Sequence, residues 1–395
     1  MIFLRLAGLF VCGAGSWWSY RVAVADSLFR RDTVESVREA IQLRPESAAY
    51  YIRLAKLEEN RADDLLVKAL RLEPYNAQAA IELGLNLEAE GQFEVAEGLL
   101  KRAFEVDRTY LGRWSLANFY FRRDRLEEFW IWARKAAEMP SVDIRPLFEL
   151  CWRVSPDVGE IDRRVVANDP STLRQFMEFL LSKGLKGEVA LRTGAATGGR
   201  LIEYGEVDRD RATVLALTSR LIDAGDANGA AGLWRQLESR QWIVADSELP
   251  RNGKFARQPL TVEFDWNLPS YDGLHSWPGP AGLEVEFNGK QPERCLIAEQ
   301  VLPSEPGDHE MRFGYRTKDV KPATGLRWLA IEAATGLELG HSGELLSEAF
   351  KEDTVRWRVL SGGALTRLRL EYERPIGSPR ISGLLVVEWT RINKR

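Results

Sequence analysis

Three histidines, three cysteines and one glycine-rich run are the residues of this chain whose types and spacing bear most directly on catalysis. His275, His309 and His341 all fall in the last third. Ser/His/Asp chemistry needs a base beside a nucleophile. The chain has no Gly-x-Ser-x-Gly elbow, and no other strong nucleophile signature stands beside a histidine. Cys12, Cys151 and Cys295 are each isolated. They build neither a zinc spacing nor a disulfide framework. Gly194 to Arg200 has the Gly-x4-Gly spacing of a phosphate loop, but it continues Arg200-Leu201 where Lys-Ser/Thr is required, and it follows no strand. Asp265, Glu299 and Asp308 have the chemistry of a structural calcium site, although plain surface charge explains them more simply. Carboxylates are numerous enough for a glycosidase, yet that mechanism needs two of them held across a cleft, which a sequence does not place. These residues predict no catalytic set, no metal and no cofactor.

Composition points the same way. Lys and Arg total 54 against 58 Asp and Glu, a formal net charge of −4 in 395 residues. Such a balance supplies no basic field for nucleic acid. With 45% hydrophobic and 28% charged residues the chain is globular, long enough for two or three domains. What remains is to find the elements.

Met1 to Tyr20 carries one charge, Arg5. As a helix it spans about 30 Å, the hydrocarbon thickness of a bilayer. Arg5 can snorkel at one end, and Trp17, Trp18 and Tyr20, followed by Arg21, form an aromatic and basic edge at the other. The segment reads as an uncleaved anchor within residues 1–25, with the bulk of the chain exported. Ala23-Val24-Ala25 before Asp26 fits a cleaved signal instead, and Leu9-Phe10-Val11-Cys12 is a loose lipoprotein box with Val11 in place of a small residue.

From about residue 27 to 243 the pattern is that of helical hairpins. Leu83-Gly84 fall on one helix, Gly91 on the turn, and Ala96, Leu100 and Ala103 on the next helix. Gly84 is small where helices cross, Gly91 tolerates positive φ, and Ala96 and Ala103 share a face. Pro45 and Pro74 punctuate neighbouring units, the first of them shortened to 29 residues. A further unit carries Trp114, Ala117, Phe121, Ala133 and Ala137, has Arg125 at the turn, and ends at Pro140. This spacing resembles the tetratricopeptide repeat. Beyond Pro140 the period loosens, but Gly184 precedes Val189-Ala190 as Gly225 precedes Ala230-Ala231. The reading is repeats over 27–140 and divergent repeats over 141–248, in an α-solenoid of about five to seven helical pairs. Trp114, Trp130 and Trp132 belong to the core between repeats. Trp130 and Trp132 are two apart, so one of them is expected to be exposed. Arg122, Arg123 and Arg125 read as a solvated face.

After Trp242 the helical period ends. Thr261–Trp266, Leu283–Phe287, Met311–Tyr315, Val355–Val359 and Leu365–Leu370 alternate apolar with polar, as strands buried on one face do. Asn288-Gly289, Pro306-Gly307 and Gly362-Gly363 supply turns, and Ile381–Ile392 is a last strand. Residues 249–395 therefore form an antiparallel β-sandwich. Asn252-Gly253-Lys254-Phe255, Gln300-Val301-Leu302-Pro303, Pro306-Gly307 and Arg312 to Thr317 resemble jelly-roll carbohydrate-binding modules. That resemblance implies the sandwich fold, and glycan binding where an exposed aromatic platform survives.

Trp266, Trp328, Trp357 and Trp389 are expected in the core. Trp277 lies in Tyr271 to Pro280, a stretch rich in Gly and Pro that reads as a loop. Tyr271, Asp272, His275 and Trp277 combine stacking faces with hydrogen-bonding groups and are the candidate ligand site. The fold class is thus multidomain α then β: an N-terminal membrane helix, a tetratricopeptide-like α-solenoid and a jelly-roll-like sandwich. The expected function is a non-enzymatic envelope scaffold in the cell membrane. Its array takes a protein partner and its sandwich a polysaccharide or protein, as in bacterial surface-polysaccharide assembly or export. A soluble periplasmic glycan-binding protein and a glycan-acting enzyme are the alternatives.

Overall fold

The computed structural model describes residues 2–139, 141–246, 248–260, 262–360, 362 and 364–394, leaving out the side chains of 2–13, 364 and 394. Met1, Pro140, Thr261 and Gly363, used above to bound the anchor, a repeat, a strand and a turn, lie outside the described residues. The chain divides into two compact units, Met1–Pro156 with Arg163–Ala167, and Asp157–Asp162 with Asn168–Arg395.

The first unit is helical. α1 (Ile2–Phe29) pairs with α2 (Val34–Leu43), α3 (Ala48–Leu57) with α4 (Ala62–Leu72), α5 (Ala77–Ala89) with α6 (Phe93–Val106), and α7 (Tyr110–Arg122) with α8 (Leu126–Ala137). α9 (Arg145–Val154) follows. Local chemistry sets these boundaries. Thr33 and Ser36 cap each other's backbone at the start of α2, and the Asn76 side chain accepts from Ala79 N at the start of α5. Gly91 turns from α5 into α6 at φ +84°. The equivalent position before α8 is Asp124, at φ +54°, not Arg125, which caps that helix. A Cβ on Gly84 would sit 3.2 Å from Leu100 Cδ2, so the small residue does mark a close crossing. Ala96, Leu100 and Ala103 are buried as the repeat phase requires.

One expectation about this unit needs correction. Trp130 and Trp132 are both buried, because α8 is covered on more than one side. Trp132 meets Phe104 edge to face, and the Arg164 guanidinium lies over Trp130 at 5.5 Å. The Arg122–Arg125 cluster is a solvated face as expected, with Arg122 and Arg125 exposed, and its charges are answered locally. Arg122 pairs with Glu88 at 2.8 Å, Arg123 covers the Phe93 ring, and Arg125 binds Glu97 and Glu128. Among the described residues no helix is long and apolar enough to cross a membrane. Most of the anchor expected over Met1–Tyr20 has its side chains outside the described residues. At the end of α1 that is described in full, Trp17, Trp18 and Tyr20 are exposed, whereas Ala25 is buried and Asp26 accepts from Tyr50 Oη.

α10 (Val158–Val165) leads into the second unit, which holds α11 (Pro170–Lys183), α12 (Glu188–Tyr204), α13 (Val207–Asp223), α14 (Ala227–Ser239) and all the strands. The run from Gly194 to Arg200 is helical, inside α12. Gly198 lets Leu217 and Leu233 approach so closely that a Cβ there would fall 2.6 Å from Leu217 Cδ2. Its glycines serve helix packing, not a phosphate. α13 and α14 pack on the segment that leads into the sandwich: Ser219 bonds Glu263, Trp234 meets Phe264 edge to face at 5.5 Å, and Arg251 pairs with Glu238 beneath the Trp234 ring. The linker is therefore ordered by contacts, with Asn252 and Phe255 both buried.

Among the described residues the strands are β1 (Leu274–Gly279), β2 (Gly282–Asn288), β3 (Arg294–Ser304), β4 (Gly307–Lys318), β5 (Leu326–Glu332), β6 (Glu338–His341), β7 (Lys351–Val359), β8 (Ala364–Glu373) and β9 (Ser382–Lys394). They form two antiparallel sheets, β1-β2-β9-β4-β7 and β3-β8-β5-β6. Their facing sides bury one core that includes Trp266, Trp328, Phe313, Tyr315, Tyr372 and Leu385. Val262–Trp266 is not a regular strand. Asp265 accepts from Leu260 N and Trp266 N and folds the segment into a turn, leaving only isolated pairings of Glu263 and Asn267 with β3.

Candidate binding face on the five-stranded sheet

The alternation of a strand sends successive side chains to opposite faces. In the five-stranded sheet Met311, Phe313 and Tyr315 of β4, Val285 and Phe287 of β2 and Val387 of β9 point into the core. Their neighbours point outward. Strand register then fixes which outward residues meet. Trp277 of β1 stands opposite Glu284 of β2, Glu284 opposite Val386 of β9, and Val386 opposite Arg316 of β4. One row thus crosses four strands: indole, carboxylate, apolar side chain, guanidinium.

A cleft of about 590 Å³ lies on this row. Leu384 and Val386 provide its apolar part, and Glu284, Arg316, Lys318 and Glu348 its charged groups. Arg316 approaches Glu388 at 3.9 Å. Aromatic rings stand on two sides. Trp277 is next to Glu284 and 37% exposed. On the other side, Gly314 is the outward residue of β4 one step before Arg316. A Cβ there would lie 2.6 Å from Trp389 Nε1 and 2.8 Å from Phe350 Cε2, so both rings cover this glycine on the outward face. Trp389 is thus half-buried outside the sheet, where the alternating run had placed it in the core. A β-bulge between Gly314 and Tyr315 in the β4–β9 ladder changes its face.

The four residues singled out from the sequence part company. Trp277 and His275 lie in β1, an edge strand and not a loop, two residues apart and both outward. Pro278 has no N–H to give a ladder, and an edge position is where a sheet accepts it. Tyr271 instead packs against the sandwich core. Asp272 is exposed in the turn that leads into β1. The residues missed by sequence reasoning are Glu284, Arg316, Lys318, Glu348 and the Trp389–Phe350 pair. One signal was readable: Gly314 interrupts a strand of large residues, and such a glycine often marks a close approach.

Other candidates are committed elsewhere. Glu299 binds both Arg367 at 3.0 Å and Arg369 at 2.7 Å, Asp308 faces Arg358 at 3.6 Å, and Asp265 caps its own turn. These three carboxylates do not converge on a calcium site among the described residues. Burial pushes the Cys151 thiol up and the Cys295 thiol to about 11, away from nucleophilic reactivity. His275, His309 and His341 lie on three different strands.

In the first unit, the shortened α3–α4 hairpin leaves a cleft of about 790 Å³ against α5. Asp63, Asp64, Glu82 and Glu90 line it with Leu85 and Asn86. Lys56 answers Glu82 at 2.7 Å, and Asn86 donates to Asp63 at 2.8 Å.

No family model matches the chain, and no curated protein matches it at a significant level. Several solved structures are similar. YrrB, a tetratricopeptide-repeat protein with an unusual peptide-binding site, is 17% identical over 53% of this chain and 94% of its own, with a TM-score of 0.26. The pilF protein of Pseudomonas aeruginosa is 18% identical over 57% of this chain and 93% of its own, with a TM-score of 0.27. Yeast Tom70 is 14% identical over 61% of this chain and 54% of its own, with a TM-score of 0.34.

Proposed function

We propose that the chain is a non-catalytic, membrane-anchored envelope scaffold whose helical units dock a protein partner and whose sandwich binds a saccharide, in a process such as surface-polysaccharide assembly or export. The observation that carries the saccharide half is the outward cleft of the five-stranded sheet, flanked by Trp277 on one side and by Trp389 with Phe350 on the other. Sugar rings present an apolar C–H face and a rim of hydroxyls. Indole and phenyl faces suit the first, and Glu284, Arg316 and Lys318 suit the second. The protein half is supported by the acidic cleft beside α5, which fits a partner segment bearing lysine or arginine. The anchor is supported by the apolar Met1–Tyr20 sequence and by the exposed Trp17, Trp18 and Tyr20 on α1.

Full-length protein should be retained by at least one member of an immobilised polysaccharide panel, and Trp277→Ala should lose that retention with its melting temperature unchanged. Wild-type protein that binds no polysaccharide, or a Trp277→Ala variant retained as well as wild type, ends the saccharide reading. Membrane pellets washed in carbonate should keep the protein, and a mature chain starting at Asp26 would end the anchor reading.

A further inference from the structure

α1 runs unbroken from Ile2 to Phe29, so the segment read as an anchor continues into the first hairpin with no linker between them. The contacts of its second half fix where that hairpin stands. Arg21 lies over the Trp18 ring at 6.0 Å and donates to Leu43 O at 2.5 Å, at the end of α2. Asp26 accepts from Tyr50 Oη near the start of α3 and faces Arg44 at 3.6 Å. Phe29 stacks on Tyr50, and Asp32 pairs with Arg53, so α3 runs in the same direction as α1. The turn from α2 to α3, residues 44–47, is thereby held beside α1 between Arg21 and Asp26. At 1.5 Å per residue those two positions lie about 5 and 12 Å beyond Trp18 along the helix.

The next turn, residues 73–76, comes up on the same edge. Lys56 of α3 pairs with Glu82 of α5 at 2.7 Å, which keeps the two helices in step. Arg102, in the last part of α6, donates to Pro74 O at 2.9 Å. Pro45, Pro74 and Tyr75 are all exposed on this edge, Tyr75 to 77%. The turns on the opposite edge, residues 30–33, 58–61 and 90–92, contain no large apolar residue. Charge around the two near turns is balanced, Arg44 and Arg71 against Glu46 and Glu73.

We infer that this edge of the array rests on the surface of the bilayer, with the 44–47 turn at the headgroups and Tyr75 as a second contact beside it. The inference rests on the anchor reading above. On that reading Trp17, Trp18 and Tyr20 mark the end of the hydrocarbon, and the headgroup layer beyond it is about 5–7 Å thick. A turn that begins about 5 Å past Trp18 on a continuous helix lies in or against that layer. Tyrosine suits it, because the ring is apolar and the hydroxyl reaches water. The balanced charge calls for no anionic lipid. α1 then serves as a rigid post. It holds the opposite edge, where Asp63 and Asp64 line the acidic cleft, about 20 Å above the aromatic residues. A partner segment bearing lysine or arginine would reach that cleft through water, clear of the headgroups.

The test places an environment-sensitive fluorophore on single cysteines of full-length Cys12→Ser protein, since Cys151 and Cys295 are buried. The labelled variants are Pro45→Cys and Tyr75→Cys on the near edge and Asn60→Cys on the far edge. Each is reconstituted in phosphatidylcholine vesicles whose headgroups carry a nitroxide quencher. The labels at 45 and 75 should lose about half their emission or more, and the label at 60 none, because the quenching layer is only about 5–7 Å thick. A flexible Gly-Ser tether of about ten residues inserted between Tyr20 and Arg21 should abolish the difference while the protein still floats with the vesicles. Protein that floats but whose label at 75 is unquenched, or quenched no more than that at 60, overturns this inference alone. Quenching at 45 and 75 that persists through the tether also overturns it, because α1 would not be what holds the edge. Protein that does not float with the vesicles ends the anchor reading, and this inference with it.

Discussion

The two faces of the five-stranded sheet use the same residue type for opposite ends. On the inner face Trp357 stands with Phe313 and Tyr315 in a core that the opposite sheet completes with Trp328. On the outer face Trp277 and Phe350, 37% and 48% exposed, stand near a cleft lined by charged groups and by Leu384 and Val386. The parity of each strand decides which tryptophan does which, and a single bulge moves Trp389 from one face to the other. If that division is right, inner-face substitutions register in stability and outer-face substitutions in binding. The largest effect is expected at Trp328, which is fully buried. Trp328→Ala should cost about 3–5 kcal/mol, the range for truncating a buried aromatic. A denaturant midpoint close to wild type would break the comparison at its inner side.

The connections between strands offer a second test, through pH. Glu344, between β6 and β7, accepts from the backbone of Ala323, Thr324 and Gly325 and from the Thr324 hydroxyl. Burial alone pushes this carboxyl up, but those hydrogen bonds outweigh it and hold it below the usual 4.5. A carboxyl depressed in the folded state contributes stability above its unfolded pKa and loses it as pH falls through the folded one. Wild-type melting temperature should therefore drop below about pH 4.5. Glu344→Gln should melt lower at pH 7, by the equivalent of about 1 kcal/mol after allowing for solvent screening, and depend less on pH below 4.5. Parallel pH profiles for the two proteins would show that the turn is held by something else.

How much of this was legible depends on the distance between partners. The helical pairs join neighbours in sequence, so Gly84, Ala96 and Ala103 could be phased from spacing alone, and their burial follows. The alternating runs over Leu283–Phe287, Met311–Tyr315 and Val355–Val359 likewise became β2, β4 and β7. The sheet face was not legible, because its row depends on β2 pairing with β9 about a hundred positions later. No local pattern states that register. Local composition also misled where tertiary context outweighed it. The Gly and Pro content of Tyr271–Pro280 suggested a loop, but an edge strand tolerates both. Thr261–Trp266 alternates well, yet the Asp265 carboxylate closes a turn across it. The third prediction uses the one outward signal that the sequence did contain. A methyl at Gly314 would push the far ends of Trp389 and Phe350 aside. Gly314→Ala should cost only about 0.5–1.5 kcal/mol, the scale of a displaced rotamer. It should weaken polysaccharide retention, because one aromatic border of the cleft moves. Unchanged retention would remove Trp389 and Phe350 from the site.

The smallest effect on stability, and the largest on binding, is expected at Trp277. Its strand is an edge, its side chain faces away from the core, and its nearest cross-strand neighbour is Glu284. Little packing is lost on truncation, so Trp277→Ala should stay within about 0.5 kcal/mol of wild type, as exposed substitutions do. The indole nonetheless supplies a broad ring face beside the cleft, and alanine supplies none. His275, outward on the same strand, gives an internal control. If the whole edge strand is the platform, His275→Ala should weaken retention in part; if only the indole stacks, it should leave retention intact. Affinity electrophoresis of the three proteins in soluble polysaccharide, with melting curves on the same samples, separates these outcomes. A Trp277→Ala variant that melts several degrees lower would place the residue in the packing of the edge. Any accompanying loss of retention would then reflect a displaced β1, and the division between the faces would fail at its outer side.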